Sequence, residues 1–122
     1  MTDQVDPRGA DLKQMLLEDD GGPVVMVNLL RFRPAGGQDT YRNYLSEAKP
    51  YLEEAGARVL HAGSMSTKLV GSDEAKWDAV LVVEYPSRQA FSAMVADPGY
   101  QHAARLRTEA LSAAVLQATV PW

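Results

Sequence analysis

Two strand-like runs in this chain each carry one polar side chain that is able to do chemistry. Asn28 interrupts an apolar run over 23–31, and Glu84 interrupts another over 77–85. An amide can donate a hydrogen bond to an enolate-like oxygen, and a carboxylate can accept a proton. A hairpin joining the second and third strands would bring His61 within a few residues of Glu84. The pattern therefore predicts an acid–base pair, with Glu84 and His61 as candidate catalytic residues.

The Glu84 carboxylate could instead have a structural role, as the partner of an arginine. Glu84 can form a structural ion pair with Arg31 or Arg107, and such pairs are commoner than catalytic ones. Arg105 and Arg107 lie two apart on a predicted helix and so face different directions. One of them can point to the mouth of a pocket and attract an anion, whereas a solvated arginine is the commoner outcome.

The elements that must position these residues are strands with apolar side chains on both faces. A strand with one wet face alternates apolar and polar residues, whereas a strand apolar on both sides is normally covered on both sides. The helices of one small domain can cover only one face of its sheet. We therefore expect a second copy of the chain to cover the other face, which predicts a homodimer.

The order of elements predicts an α+β fold of the ferredoxin-like split βαβ type, with a four-stranded antiparallel sheet and helices on one face. Residues 1–22 are predicted to form an N-terminal arm and short helix, and residues 23–122 the ferredoxin-like domain. The expected elements are a helix over 10–18, a strand over 23–32, a helix capped by Asp39 or Thr40 and kinked or restarted at Pro50, a strand over 57–70 with a bulge at Gly63, a strand over 77–85, helices beginning near Ser87 and Pro98, and a strand over 112–120.

Side-chain alternation predicts which residues share the open face of this sheet. The helix-covered face is expected to have no room for unpaired amides and carboxylates, so the polar groups are assigned to the open face together. The predicted pocket is lined by Met26, Asn28, His61, Val80, Val82, Glu84, Val115 and Gln117.

Composition limits the classes of function. The 122 residues suit one domain, and a net charge of -4 without a basic patch disfavours nucleic acid as a partner. The absence of cysteine excludes disulfides and thiolate chemistry. No apolar stretch is long enough to span a membrane and the N-terminus lacks the pattern of a signal peptide, so a cytoplasmic protein is expected.

The sequence favours no cofactor. His61 and His102 are far apart and lack the spacing of a metal site, and although one histidine can ligate haem, nothing favours haem. Gly36-Gly37 is not followed by the lysine of a phosphate loop. We therefore expect no metal and no cofactor.

Four segments, over 24–31, 54–60, 82–90 and 100–107, resemble in order and spacing the family called domain of unknown function 1330. The most specific part is the strand ending in Glu84-Tyr85-Pro86-Ser87, followed by a helix and by Tyr100 and Arg107, which are seven residues apart. The resemblance covers about residues 23–120.

The resemblance implies a dimeric α+β barrel, in which two ferredoxin-like subunits pack sheet to sheet. It implies a pocket inside the barrel or between the sheet and the helices. Glu84, Tyr100 and Arg107 match recurring positions of the family, and Asn28 and Arg31 match the end of its first strand. Superfamily relatives include cofactor-independent monooxygenases, haem enzymes, isomerases and ligand-sensing domains, so the fold does not settle the function.

Three hypotheses follow for the function. The first is a cofactor-independent, monooxygenase- or isomerase-like enzyme acting on a small organic molecule, with Glu84 or His61 as base. In it Asn28, Arg31, Tyr100 and Arg107 bind the ligand. The second is a non-catalytic module that binds or senses a small ligand through the same residues. The third is a dimer whose polar groups only fix the register of the sheet.

Overall fold

The computed structural model describes residues 4–122 and consists of one four-stranded sheet and four helices. The elements are α1 (Gly9–Leu17), β1 (Val24–Phe32), α2 (Gly37–Glu54), β2 (Arg58–Ser64), β3 (Ala79–Tyr85), α3 (Arg88–Ala96), α4 (Pro98–Ala110) and β4 (Leu111–Thr119).

The sheet is antiparallel throughout, with the strand order β2-β3-β1-β4. The two strands that are first and third along the chain lie in the middle, as in a split βαβ arrangement. The predicted α+β ferredoxin-like fold is therefore confirmed.

Helices α2, α3 and α4 cover one face of this sheet. On β1, the buried positions are the alternate residues Val24, Met26, Asn28 and Leu30. The intervening apolar side chains of β1 are only half-buried in the single chain. Each large apolar side chain that is fully buried contributes about 1.5–3 kcal/mol, so the covered face holds most of the stability.

Local signals set the starts of α3 and α4 as the sequence predicts. The hydroxyl of Ser87 accepts a hydrogen bond from the Ala90 amide at the start of α3. The Asp97 carboxylate accepts one from the Gly99 amide, and Pro98 occupies the first turn of α4. These caps satisfy backbone donors that have no partner inside the helix.

Four local expectations differ from the structure. α2 begins at Gly37, so Asp39 and Thr40 lie inside its first turn and neither caps it. α2 continues through Pro50 to Glu54 instead of restarting, because the side chains beyond the proline still pack on the core. β2 ends at Ser64, which leaves a longer loop than expected before β3. The irregularity in β2 lies between Val59 and His61 and not at Gly63.

No helix in the described part of the chain is long and apolar enough to cross a membrane.

Candidate functional site

Asn28 lies on the helix-covered face, so the expectation that Met26 and Asn28 share the open face with Glu84 is wrong. Asn28 is opposite Leu81 in the register between β1 and β3, and only 7% of its surface is exposed. Its side-chain amide donates a hydrogen bond of 3.2 Å to the Leu81 carbonyl. The covered face accommodates this amide because the neighbouring strand supplies an acceptor.

A cavity of about 310 Å³ lies between the covered face of the sheet and helices α2, α3 and α4. This volume is at the lower end of the range for small-molecule sites, about 300–1,000 Å³. Apolar side chains form much of its wall, among them Leu45, Leu52, Leu81, Val83, Phe91 and Leu116. The polar groups that border it include Asn28, Tyr41, Tyr44, Tyr85, Tyr100 and Arg107. We call this space the helix–sheet cavity.

Four tyrosines from three elements, α2, β3 and α4, meet at the helix–sheet cavity. The hydroxyls of Tyr44 and Tyr100 are 2.8 Å apart and share a hydrogen bond. The ring of Tyr41 packs against that of Tyr44, with 5.2 Å between centroids, and the ring of Tyr85 packs edge-on against Phe91. This aromatic cluster gives the cavity stiff walls with hydroxyl groups among them.

Burial keeps these phenols protonated. It raises the pKa of Tyr41 to about 12, and the nearby charge of Arg107 opposes the rise. Burial also raises the pKa of Tyr44, with the Tyr100 phenol adding to the shift, and it raises that of Tyr85. Near neutral pH the three side chains are hydrogen-bond donors and not bases.

Arg107 is a buried cation without a counter-ion in the described residues. Its exposed fraction is 5%, and neither of the two ion pairs formed within residues 4–122 includes it. Nη1 donates a hydrogen bond to the Val5 carbonyl, whereas Nη2 is shielded from solvent and has no partner within the same residues. A buried donor left unpaired costs about 1–3 kcal/mol.

The N-terminal segment closes the helix–sheet cavity beside Arg107. Asp6 and Pro7 belong to the cavity wall, and the Thr108 hydroxyl donates a hydrogen bond of 2.6 Å to the Asp6 carboxylate. A second cavity of about 550 Å³ lies between this segment, α1 and β4, and Arg107 borders it as well. The guanidinium therefore lies between two spaces that the N-terminal segment covers.

Glu84 and His61 lie on the open face, outside the helix–sheet cavity. The Glu84 carboxylate forms an ion pair of 3.0 Å with Arg58, so Arg31 and Arg107 were the wrong partners for it. His61 is exposed and lies opposite Val82 in the register. Val80, Val82, Val115 and Gln117 share this face as predicted.

Arg31 has neither of its predicted contacts, the ion pair with Glu84 or a place in the ligand-binding cavity. Its guanidinium donates two hydrogen bonds, of 2.8 and 2.9 Å, to the Lys76 carbonyl. It also lies 5.3 Å from the ring centroid of Trp77. Both contacts fix the loop before β3, and Arg31 does not border the helix–sheet cavity.

The structure thus brings Asn28, Tyr100 and Arg107 to one cavity and separates them from Glu84 and His61. Sequence reasoning missed Tyr41 and Tyr44, because tyrosines at helical spacing more often mark simple core packing. It also missed Tyr85, whose place on the covered face depends on the parity of β3. It also missed the segment around Val5, for which the sequence carries no signal. In the described part of the chain, no three histidine, aspartate or glutamate side chains cluster as a metal site would require.

Comparison with known proteins identifies related structures and the family of this chain. No curated protein matches this chain in sequence. The RPA0582 protein of unknown function from Rhodopseudomonas palustris is 32% identical, with a TM-score of 0.92 over 99% of this chain and 98% of the other. That similarity extends over almost the whole length, N-terminal segment included.

More distant structures share the fold alone. A dimeric ferredoxin-like protein of unknown function from Jannaschia sp. CCS1 is 10% identical, with a TM-score of 0.64 over 82% of this chain and all of the other. A DABB family protein with a ferredoxin-like fold from Mesorhizobium loti is 15% identical, with a TM-score of 0.57 over 83% of this chain and 98% of the other. Residues 35–119 match the family described as domain of unknown function 1330, and the chain belongs to that family.

Proposed function

We propose that the protein binds a small organic anion, a carboxylate on a ring-sized apolar body, in the helix–sheet cavity. The observation that carries this proposal is Arg107, a buried guanidinium with no carboxylate partner in residues 4–122 and one nitrogen without an acceptor. Buried charges are normally paired or hydrogen-bonded, because an isolated ion loses its hydration. A bound anion would supply the missing charge.

The chemistry of the wall indicates which anion fits. A guanidinium matches the two oxygens of a carboxylate with two parallel hydrogen bonds. The protonated phenols of Tyr41 and Tyr85 can donate further hydrogen bonds to it. The surrounding rings favour an aromatic or similarly flat body, since aromatic pairs gain about 0.5–1.5 kcal/mol beyond their area burial.

The test is a titration followed by ¹⁹F NMR with 4-fluorobenzoate and with 4-fluorobenzamide, its neutral analogue. We expect the carboxylate to bind more tightly than the amide. A charge-assisted hydrogen bond contributes about 1.5–3 kcal/mol, so Arg107→Met should weaken 4-fluorobenzoate by about 10- to 100-fold. Arg42→Met, on the exposed side of α2, is the matched control and should bind as the wild type does. Equal binding by the two variants, or no binding by the wild type, would contradict the proposal.

The open face supports a second part of the proposal, that two copies pair sheet to sheet. Val25, Val27 and Leu29 of β1 and Val80 and Val82 of β3 form a contiguous apolar surface there. Such a surface on a small protein usually marks an interaction site. A mass by light scattering equal to one chain at micromolar concentration would contradict the homodimer.

Cofactor-independent catalysis is a second candidate, favoured by the donors in the cavity. Asn28 and the phenols offer preorganised hydrogen bonds to an enolate-like oxygen, as in monooxygenase- or isomerase-like chemistry. Glu84 and His61 lie on the other face of the sheet, so either could act as the base only on a substrate held between paired open faces, without the donors of the helix–sheet cavity. Unchanged turnover of an identified substrate by Glu84→Gln and by His61→Ala would exclude that role.

A further inference from the structure

The N-terminal segment, residues 4–8, is held over the helix–sheet cavity by two polar contacts. The Val5 carbonyl accepts a hydrogen bond from Nη1 of Arg107, and the Asp6 carboxylate accepts one from the Thr108 hydroxyl. Both acceptors are oxygens, and one of them carries a full negative charge. The Val5 carbonyl therefore lies where an anionic ligand would have to place one of its own oxygens, and Asp6 belongs to the wall of the same cavity.

We infer that this segment is a displaceable lid that competes with the ligand for Arg107. The inference rests on the proposed function and adds a regulation of the same site. The Val5 carbonyl accepts a hydrogen bond from one nitrogen of the guanidinium, and the other nitrogen is shielded from solvent. A ligand carboxylate can reach both nitrogens only when the segment moves.

The N-terminal segment has few contacts that would oppose its release. Four of its five residues are exposed and only Val5 is half-buried, so little apolar surface holds it in place. Segments with few buried apolar contacts open at low cost relative to global unfolding. The charge of Asp6 also repels an anion while the segment is docked, and that repulsion is removed when the segment is released.

For a ligand that binds only the open form, the apparent association constant is the intrinsic one multiplied by the fraction of protein that is open. Weakening the lid should therefore tighten binding. Thr108→Val removes the hydroxyl that donates a hydrogen bond to the Asp6 carboxylate. It changes neither the charge nor the length of the chain. A second variant begins at Arg8 and therefore lacks both contact residues of the segment, Val5 and Asp6.

The experiment measures the dissociation constant of 4-fluorobenzoate for the full-length protein and both variants by ¹⁹F NMR. We expect about threefold tighter binding for Thr108→Val and about tenfold for the shortened chain. Thr40→Val is the matched control, because its hydroxyl bonds within α2 to the Gly36 carbonyl and borders neither cavity next to Arg107. It should leave the dissociation constant unchanged.

A second measurement follows the lid itself through the backbone amides of residues 5 and 6. Saturating 4-fluorobenzoate should lower their ¹⁵N order parameters in the full-length protein. Equal or weaker binding by both lid variants, while the wild type binds, would overturn the lid and leave the ligand site standing. Failure of all forms, including the shortened chain, to bind would instead overturn the ligand site and the lid with it.

Discussion

Polar side chains on the two faces of the sheet differ in their exposure and in their hydrogen-bond partners. On the covered side, Asn28 and Arg107 are nearly inaccessible, and each donates to a backbone carbonyl, that of Leu81 or of Val5. On the open face, Glu84 and Arg58 satisfy each other as an ion pair that water can reach. The covered face therefore holds the hydrogen-bond donors of the proposed binding site, and the open face holds Glu84 and His61, the predicted acid–base pair.

The largest effect is expected from a charge on the open face. Val82→Arg places a cation in the middle of the surface that we propose to pair with a second copy. Two such cations would be buried near one another across a two-fold interface, and like charges brought together there cost several kcal/mol. We expect the dimer to dissociate at micromolar concentration, with the mass measured by light scattering falling to that of one chain.

Leu17→Arg is the control for this substitution. Leu17 is 72% exposed at the end of α1 and lies away from the sheet. It should leave the mass unchanged. If Val82→Arg remains a dimer of unchanged stability, the open face is not the contact between copies.

Alkaline pH should destabilise the covered face through its phenols. In the unfolded chain Tyr41 ionises near pH 10, whereas in the folded chain its pKa is about 12. Between these values the unfolded state loses a proton that the folded state keeps, so stability that is complete below pH 10 falls as the pH rises. Tyr41 alone should account for about 3 kcal/mol, and Tyr44 and Tyr85 add to it.

Urea unfolding at pH 8 and at stepped values between pH 10 and pH 12 measures this loss. The variant Tyr41→Phe should lose less stability over that range than the wild type, while at pH 8 the phenol is protonated in both states. Parallel losses for the two proteins would show that the Tyr41 phenol is not a source of the pH dependence.

Adjacent valines on β3 offer a direct comparison of the two faces. Val83 is 2% exposed on the covered face, and Val82 is half-buried on the open one. Val83→Ala removes methyl groups from the core and should lower the free energy of unfolding by about 1.5–3 kcal/mol. That loss should not depend on protein concentration, whereas the smaller loss from Val82→Ala should shrink as the protein is diluted below the dissociation constant of the dimer, because the contribution of the interface is lost from wild type and variant alike. Equal, concentration-independent losses would contradict the assignment of faces.

The fold could be predicted from the sequence because the patterns that indicate its helices and strands are local. Alternation along β1, the cap at Ser87 and Pro98 at a helix start each depend on a few neighbouring residues. The candidate site was predicted less well because it depends on strand parity. Asn28 was assigned to the wrong face, since a cross-strand acceptor such as the Leu81 carbonyl is invisible in the sequence.

Long-range contacts were likewise beyond prediction. Arg107 and Val5 are 102 residues apart, and no local pattern links them. The family resemblance pointed to Tyr100 and Arg107, both of which border the cavity, but it carried no information on the segment that covers them. Two features of the site could therefore not be predicted from the sequence. One is the face of the sheet on which the alternate side chains of β1 lie, and the other is the place where the N-terminal segment packs.

The smallest effect concerns the ion pair on the open face. Arg58 is largely exposed and Glu84 about one-third exposed, and exposed pairs contribute about 0–1 kcal/mol. Glu84→Gln should therefore lower the free energy of unfolding by no more than about 1 kcal/mol, and Arg58→Met by a similar amount. A double-mutant cycle in urea isolates the coupling between them. A small coupling would mean that Glu84 contributes little to the fold and would keep it available for proton transfer, whereas a coupling of several kcal/mol would mark a pair buried by the second copy.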